Sequence, residues 1–139
     1  MVRLRFAPSP TGYLHIGGLR TALYCWFYVR KMKGKFIFRL EDTDQKRVVK
    51  GSENDLIRML NWAGIDIDEG PSLGGQLGPY RQSERSNIYQ KYIQKLIDEN
   101  HAYRCFCSRE RLDNLRDEQR SRGETPRYDN YCRNLDIEE

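Results

Sequence analysis

Fourteen residues from Arg5 to Gly18, RFAPSPTGYLHIGG, gather two prolines, three glycines, one histidine and the hydroxyls of Ser9 and Thr11. Residues of these types between a strand and a helix suit the binding of an anion. Backbone N–H groups and the positive end of a helix dipole meet a phosphate at the carboxyl edge of a sheet. No Gly-Lys-Ser/Thr follows the loop and no GxGxxG is present, so neither the P-loop nor the dinucleotide pattern applies. A phosphoryl or acyl reaction here needs developing charge stabilised more than it needs a covalent nucleophile. His15 can donate to a phosphate, Thr11 and the Gly17–Gly18 backbone can cradle it, and Arg5 can clamp a carboxylate. Glu41 can hold an ammonium. A lone loop histidine is ordinarily structural; its place between strand and helix is what favours a functional role.

These groups need a scaffold. Val2, Leu4 and Phe6 alternate with Arg3 and Arg5, which predicts a strand with one face on a core. Leu19, Ala22, Leu23, Trp26 and Phe27 follow helical spacing, and basic residues near Lys31–Gly34 suit the helix end. The run Lys35–Leu40 predicts a central buried strand, giving a βαβ unit with a right-handed crossover. This second strand leads into Glu41, Asp42 and Asp44. Ser52 and Asp55 are spaced as a capping box before a helix carrying Leu56, Met59, Leu60 and Ala63 inward. Residues 66–80, with four glycines and two prolines, predict a loop. A helix opening at Ser83 and stopping around Asn100 would turn Tyr89, Tyr92, Ile93, Leu96 and Ile97 inward. Ser108–Arg122 predicts a thin, charged helix, capped by Gly123.

The 139 residues suffice for one domain with a small appended module. No apolar run reaches the roughly 20 residues of a membrane helix, and no signal or transit peptide is visible. The formal charge of +4 is uneven: residues 1–50 hold 11 basic and 3 acidic side chains. That balance fits either a solvated surface or an anionic partner such as a nucleotide or nucleic acid. Four cysteines, two of them in a CxC, point to a reducing compartment, a cytosol or an organelle matrix.

RFAPSPTGYLHIGGLRTAL, together with LEDTD at 40–44, GPYRQSER at 78–85, CFCS and TPRYD, resembles class I aminoacyl-tRNA synthetases, specifically the glutamyl type. The resemblance spans essentially the whole chain. It implies an α/β fold, with residues 1–101 forming the first βαβ half of a Rossmann-like nucleotide-binding domain. Residues 102–139 would begin a small α+β, zinc-type insertion that binds the tRNA acceptor arm. It places Arg5, Ala7, Ser9 and Glu41 at L-glutamate. It places Pro8, Ser9, Pro10, Thr11, Gly12, His15, Ile16, Gly17 and Gly18 at ATP with Mg2+, with Thr11, His15 and Gly17 nearest the phosphates. Arg47 falls where the family approaches the acceptor end of tRNA(Glu). The implied reaction forms glutamyl-adenylate and pyrophosphate, then transfers glutamate to the 3′-terminal adenosine, in a protein that is a monomer when complete.

Relatives bind zinc through a CxC, a later cysteine and a histidine two residues beyond it. Here those places hold Cys105, Cys107, Cys132 and Asn134. Tyr128, His101 or water would supply the fourth ligand; a metal-free domain with buried thiols is the other reading. The family's second nucleotide-binding half, with its Lys-Met-Ser-Lys-Ser-type loop, and its helical anticodon domain have no counterpart in this sequence. The expectation is therefore an N-terminal part that does not charge tRNA alone. Two alternatives stand beside it: a tRNA-modifying glutamyl paralogue, which carries His at the Gly18 position, and a non-catalytic nucleotide- or tRNA-binding module.

Overall fold

The computed structural model describes residues 1–135, apart from the side chain of Asn134. Strand β1 (Arg3–Phe6), helix α1 (Ile16–Lys31) and strand β2 (Lys35–Phe38) form the expected parallel βαβ unit. The register sets Arg5 opposite Ile37 and Phe6 opposite Phe38. Helices α2 (Ser52–Trp62), α3 (Ser86–Asp98) and α4 (Arg109–Ser121) follow, with 3₁₀ turns at Gln45–Arg47, Gln82–Arg85 and Tyr131–Asn134. No helix among the described residues is long and apolar enough to cross a membrane. Two compact units emerge, 1–87 and 88–139. That division falls within α3, earlier than the 101/102 division read from the sequence.

The core of the first unit joins Phe6, Phe36, Phe38 and Leu40 to Ala22 and Val29 of α1 and to Leu56 and Leu60 of α2. Burying this apolar surface is the main force holding strands and helices together. α1 ends on Arg30 and Lys31, and the chain reverses through Gly34, where a Cβ would strike the Val2 carbonyl. Glycine permits that close pass, and Lys35 N–H then reaches the same carbonyl at 2.9 Å to start the pairing.

Several expectations change. β2 is not buried on both sides: Phe36 and Phe38 are buried while Lys35 and Ile37 are half-buried, because a two-stranded sheet leaves one face lightly covered. Phe27, expected inward, is 61% exposed, while Val29, two residues on and far round the helix from it, is fully buried. Ser52 is no capping residue. Gly51 holds the N-cap place, and the buried Ser52 hydroxyl donates to the Pro10 carbonyl at 3.0 Å. In α3 the expected inward face is only partly covered: Tyr89 and Ile97 are half-buried, but Tyr92, Ile93 and Leu96 are 59%, 52% and 44% exposed.

The 66–80 loop does more than connect. Phe38 N–H bonds the Glu69 carbonyl and Leu40 N–H bonds the Tyr80 carbonyl, so this irregular chain covers the free edge of β2. Its anchor is Glu69, whose carboxylate takes both Nη groups of Arg3 at 2.7 and 2.5 Å and the Tyr80 hydroxyl. These donors hold the Glu69 pKa below the usual carboxylate range. Burial pushes Asp68 upward, but the Phe36 N–H and Arg30 outweigh it and leave that pKa lowered as well. Carboxylates depressed by folding stabilise the native state above their unfolded pKa values, and lose that contribution as pH falls through the folded ones. Melting temperature is expected to hold steady down to about pH 5 and to drop below about pH 4. Glu69→Gln is expected to melt lower at neutral pH and to show a shallower acid slope; an unchanged slope would remove Glu69 from the acid transition.

Candidate functional site

The loop after β1 is nailed at two carbonyls. Pro8 C=O accepts Glu41 N–H at 2.9 Å, and Pro10 C=O accepts Val49 N–H at 2.8 Å besides the Ser52 hydroxyl. Pro10 is fully buried, so it fixes the loop rather than facing a ligand. Between these pins and α1 opens a pocket of about 410 Å³. Pro8, Ser9, Thr11, Gly12, His15 and Gly18 line it, with Phe6, Tyr13, Leu14 and Leu56 completing the wall. Six of the nine residues expected at ATP therefore share one concavity. Ile16, 81% exposed, and Gly17 do not line it.

His15 is the N-cap of α1. Its Nδ1 accepts the Gly17 N–H at 3.2 Å. An accepting Nδ1 leaves the neutral ring with its proton on Nε2, a donor available to an anion. The same bond revises the phosphate cradle: Gly17 N–H is spent on the histidine, so helix geometry leaves Ile16 and Gly18 as the orphan donors of that turn. Gly17 serves by being small, because a Cβ there would sit 3.0 Å from the imidazole.

At the carboxyl ends of the strands, Arg5 Nη2 lies 3.9 Å from Glu41 Oε1. Arg5 is exposed, while Ala7 and Glu41 are half-buried. Sequence reasoning missed Arg39, whose Nη2 donates to the same Glu41 oxygen at 2.8 Å. Its signal was the alternation of β2, which puts Arg39 opposite the buried Phe36 and Phe38. The acidic run divides its labour. Asp42 is buried and accepts Ser83 N–H at 2.9 Å and the Ser83 hydroxyl at 2.6 Å, which ties the GPYRQSER segment to the strand end. Burial raises its pKa, but the Ser83 donors prevail and leave it lowered. Asp44 pairs with Arg47, Nε to Oδ2 at 2.6 Å, on an exposed turn.

In the second unit, Ser108 caps α4 by accepting Arg111 N–H at 3.2 Å, fixing the CFC segment just ahead of the helix. Buried Gln119 grips the backbone of Arg127 from both sides, donating to its carbonyl at 3.0 Å and accepting its N–H at 2.8 Å. This anchor, unforeseen from the sequence, sets Tyr128 against the cysteines. The Sγ atoms of Cys105, Cys107 and Cys132 lie within 4.8 Å of one another. Tyr128 Oη is 3.3 Å from Cys105 Sγ and 3.6 Å from Cys107 Sγ, and it accepts Cys132 N–H at 3.0 Å. His101 is outside the thiol group, and the Asn134 side chain lies outside the described residues. Cys132 is buried, yet its pKa is lowered to about 7, first by the Phe106 N–H and next by Tyr128. Three clustered soft donors match the chemistry of a zinc site.

The family model described as "tRNA synthetases class I (E and Q), catalytic domain" matches residues 1–139. The glutamate–tRNA ligase of Natranaerobius thermophilus is 55% identical over 137 residues, covering 99% of this chain and 28% of that protein. That of Bacillus licheniformis is 53% identical over 138 residues, with the same two coverages. A crystal structure of a glutamate tRNA ligase from Elizabethkingia meningosepticum, in complex with its amino acid, superposes with a TM-score of 0.87 at 47% identity. It covers 96% of this chain and 26% of that one. The chain thus spans about 28% of the length of the curated relatives it matches.

Proposed function

The chain belongs to the class I tRNA synthetases of the glutamate and glutamine branch, within the catalytic domain, and from that premise we propose that it carries the substrate-binding first half of a glutamate–tRNA ligase. The observation that supports this most directly is Arg5 beside Glu41, a cation and an anion 3.9 Å apart where the strands of the βαβ unit end. An amino acid presents the complementary charges. In this reading a carboxylate oxygen of L-glutamate attacks the α-phosphorus of ATP, carried in with Mg2+, and pyrophosphate leaves. The 3′-terminal adenosine of tRNA(Glu) then attacks the acyl carbon and AMP departs.

Arg5 would pair with a substrate carboxylate and Glu41 with the ammonium, with Ala7 and Ser9 alongside. Thr11, Gly12 and Gly18 would border the phosphates, and His15 Nε2–H would donate to the charge that develops on them. Arg47, exposed on its turn, would meet the acceptor end. Residues 1–101 would form half of the nucleotide-binding domain and 102–139 would open the acceptor-binding insertion. There Cys105, Cys107 and Cys132, with Tyr128 in reach, would hold a Zn2+ that braces the insertion and takes no part in the chemistry. The complete protein would act as a monomer in a cytoplasm or organelle matrix.

Glutamate-dependent exchange of pyrophosphate into ATP by the complete protein, with tRNA(Glu) present, tests the reading. Arg5→Ala is expected to raise KM for glutamate by about 10–100-fold, the loss of a charge-assisted pair, and to leave KM for ATP within about twofold. Selective loss of ATP binding would contradict the carboxylate role.

A further inference from the structure

Alternation along β2 puts Ile37, Arg39 and Glu41 on one side, away from the buried Phe36, Phe38 and Leu40, and the register brings Arg5 to that same side. Arg39 is held there firmly. Its peptide N–H bonds the Phe6 carbonyl at 3.0 Å, and its side chain is only 20% exposed. Among the described residues its Nε is buried with no hydrogen-bond partner. Its one strong contact is Nη2 to Glu41 Oε1 at 2.8 Å. Among the described residues both arginines approach this one oxygen of Glu41, which leaves Oε2 as the acceptor.

We propose that Arg39 is a positioning residue for the ammonium of the amino-acid substrate, acting through Glu41. It anchors Oε1 and so presents Oε2 to the ammonium. An unanchored glutamate side chain would have to lose its rotamer freedom when the ligand binds, and fixing it beforehand removes that loss.

This inference rests on the glutamate reading, and the test separates the two. The complete protein is assayed by pyrophosphate exchange, with glutarate, which lacks the ammonium, as a competitive probe. Arg39→Met is expected to raise KM for glutamate about tenfold or more, with kcat and KM for ATP within about twofold. Its Ki for glutarate is expected to stay within about threefold, whereas equal losses for both ligands would mean that Arg39 grips a carboxylate itself and would overturn the proposal. In a Glu41→Gln background the same change is expected to add less than about twofold; full additivity would likewise sink it. Arg39→Lys, which keeps the charge and a donor, is expected to recover most of the glutamate affinity, and it carries the test if the methionine variant does not fold. An unchanged glutamate KM in Arg39→Met, with wild-type exchange intact, overturns this inference alone. Absence of glutamate-dependent exchange in the wild-type protein overturns the underlying reading.

Discussion

His15→Ala in the complete protein is expected to lower adenylate formation by about 10²–10³-fold, the usual effect of deleting one donor to developing charge. The structure gives this prediction a second arm. The same imidazole caps α1 through Nδ1 and Gly17 N–H, so alanine removes a helix cap along with the Nε2 donor. His15→Asn separates the two roles: asparagine is a good capping residue but cannot reach outward as the Nε2–H does. Thermal stability is expected to fall slightly in the alanine variant and to recover in the asparagine variant, while both stay slow in single-turnover adenylate formation. Recovery of rate with stability would assign His15 to the cap alone, and an unchanged alanine variant would remove it from the mechanism.

Cys132→Ser is expected to leave the second unit without metal and without a stable α4. The reason is the poverty of its core. Among the described residues beyond Asn87, Cys132 is the only buried apolar side chain. Leu112 and Leu115 of α4 and Tyr89 and Ile97 of α3 are half-buried, and Tyr92, Ile93 and Leu96 are exposed. A unit of this size with so little apolar burial needs a further cross-link, and a structural zinc supplies folding free energy outright. Elemental analysis of the wild type is expected to find one zinc per chain and the serine variant none. Hydrogen exchange at the α4 amides is expected to speed up by about 10²-fold or more in the variant or after chelation. The first unit has its own core and is expected to keep its protection. A metal-free wild-type protein with slowly exchanging α4 amides would return the cysteines to a packing role.

Much of this was legible before any coordinate. Alternation in Val2–Phe6, helical spacing from Leu19 and the run at Lys35–Leu40 are local patterns, and β1, α1 and β2 follow them closely. α2 keeps Leu56 and Leu60 inward, and α4 runs within one residue of its expected ends at Ser108 and Arg122. Periodicity failed where it had to choose which of two faces is covered. Phe27 and the Tyr92–Leu96 stripe have helical spacing, yet nothing among the described residues buries them. The Ser52–Asp55 pair has the spacing of a capping box, but the hydroxyl found a better acceptor in Pro10, 42 residues away.

The sequence alone determined which chemical groups are present and roughly where the chain turns: the loop, its histidine, the CxC, and the carboxylates after β2. Residue type and short-range spacing suffice for that, because helix, strand and turn are governed by neighbours within a few positions. The tertiary structure decided how those groups are engaged. It joined Arg3 to Glu69 across 66 residues, gave the Gly17 N–H to His15, placed Tyr128 on the thiols through Gln119, and set Arg39 on Glu41. Hydrogen bonds between distant residues depend on how strands register and helices pack, and no local pattern carries that information.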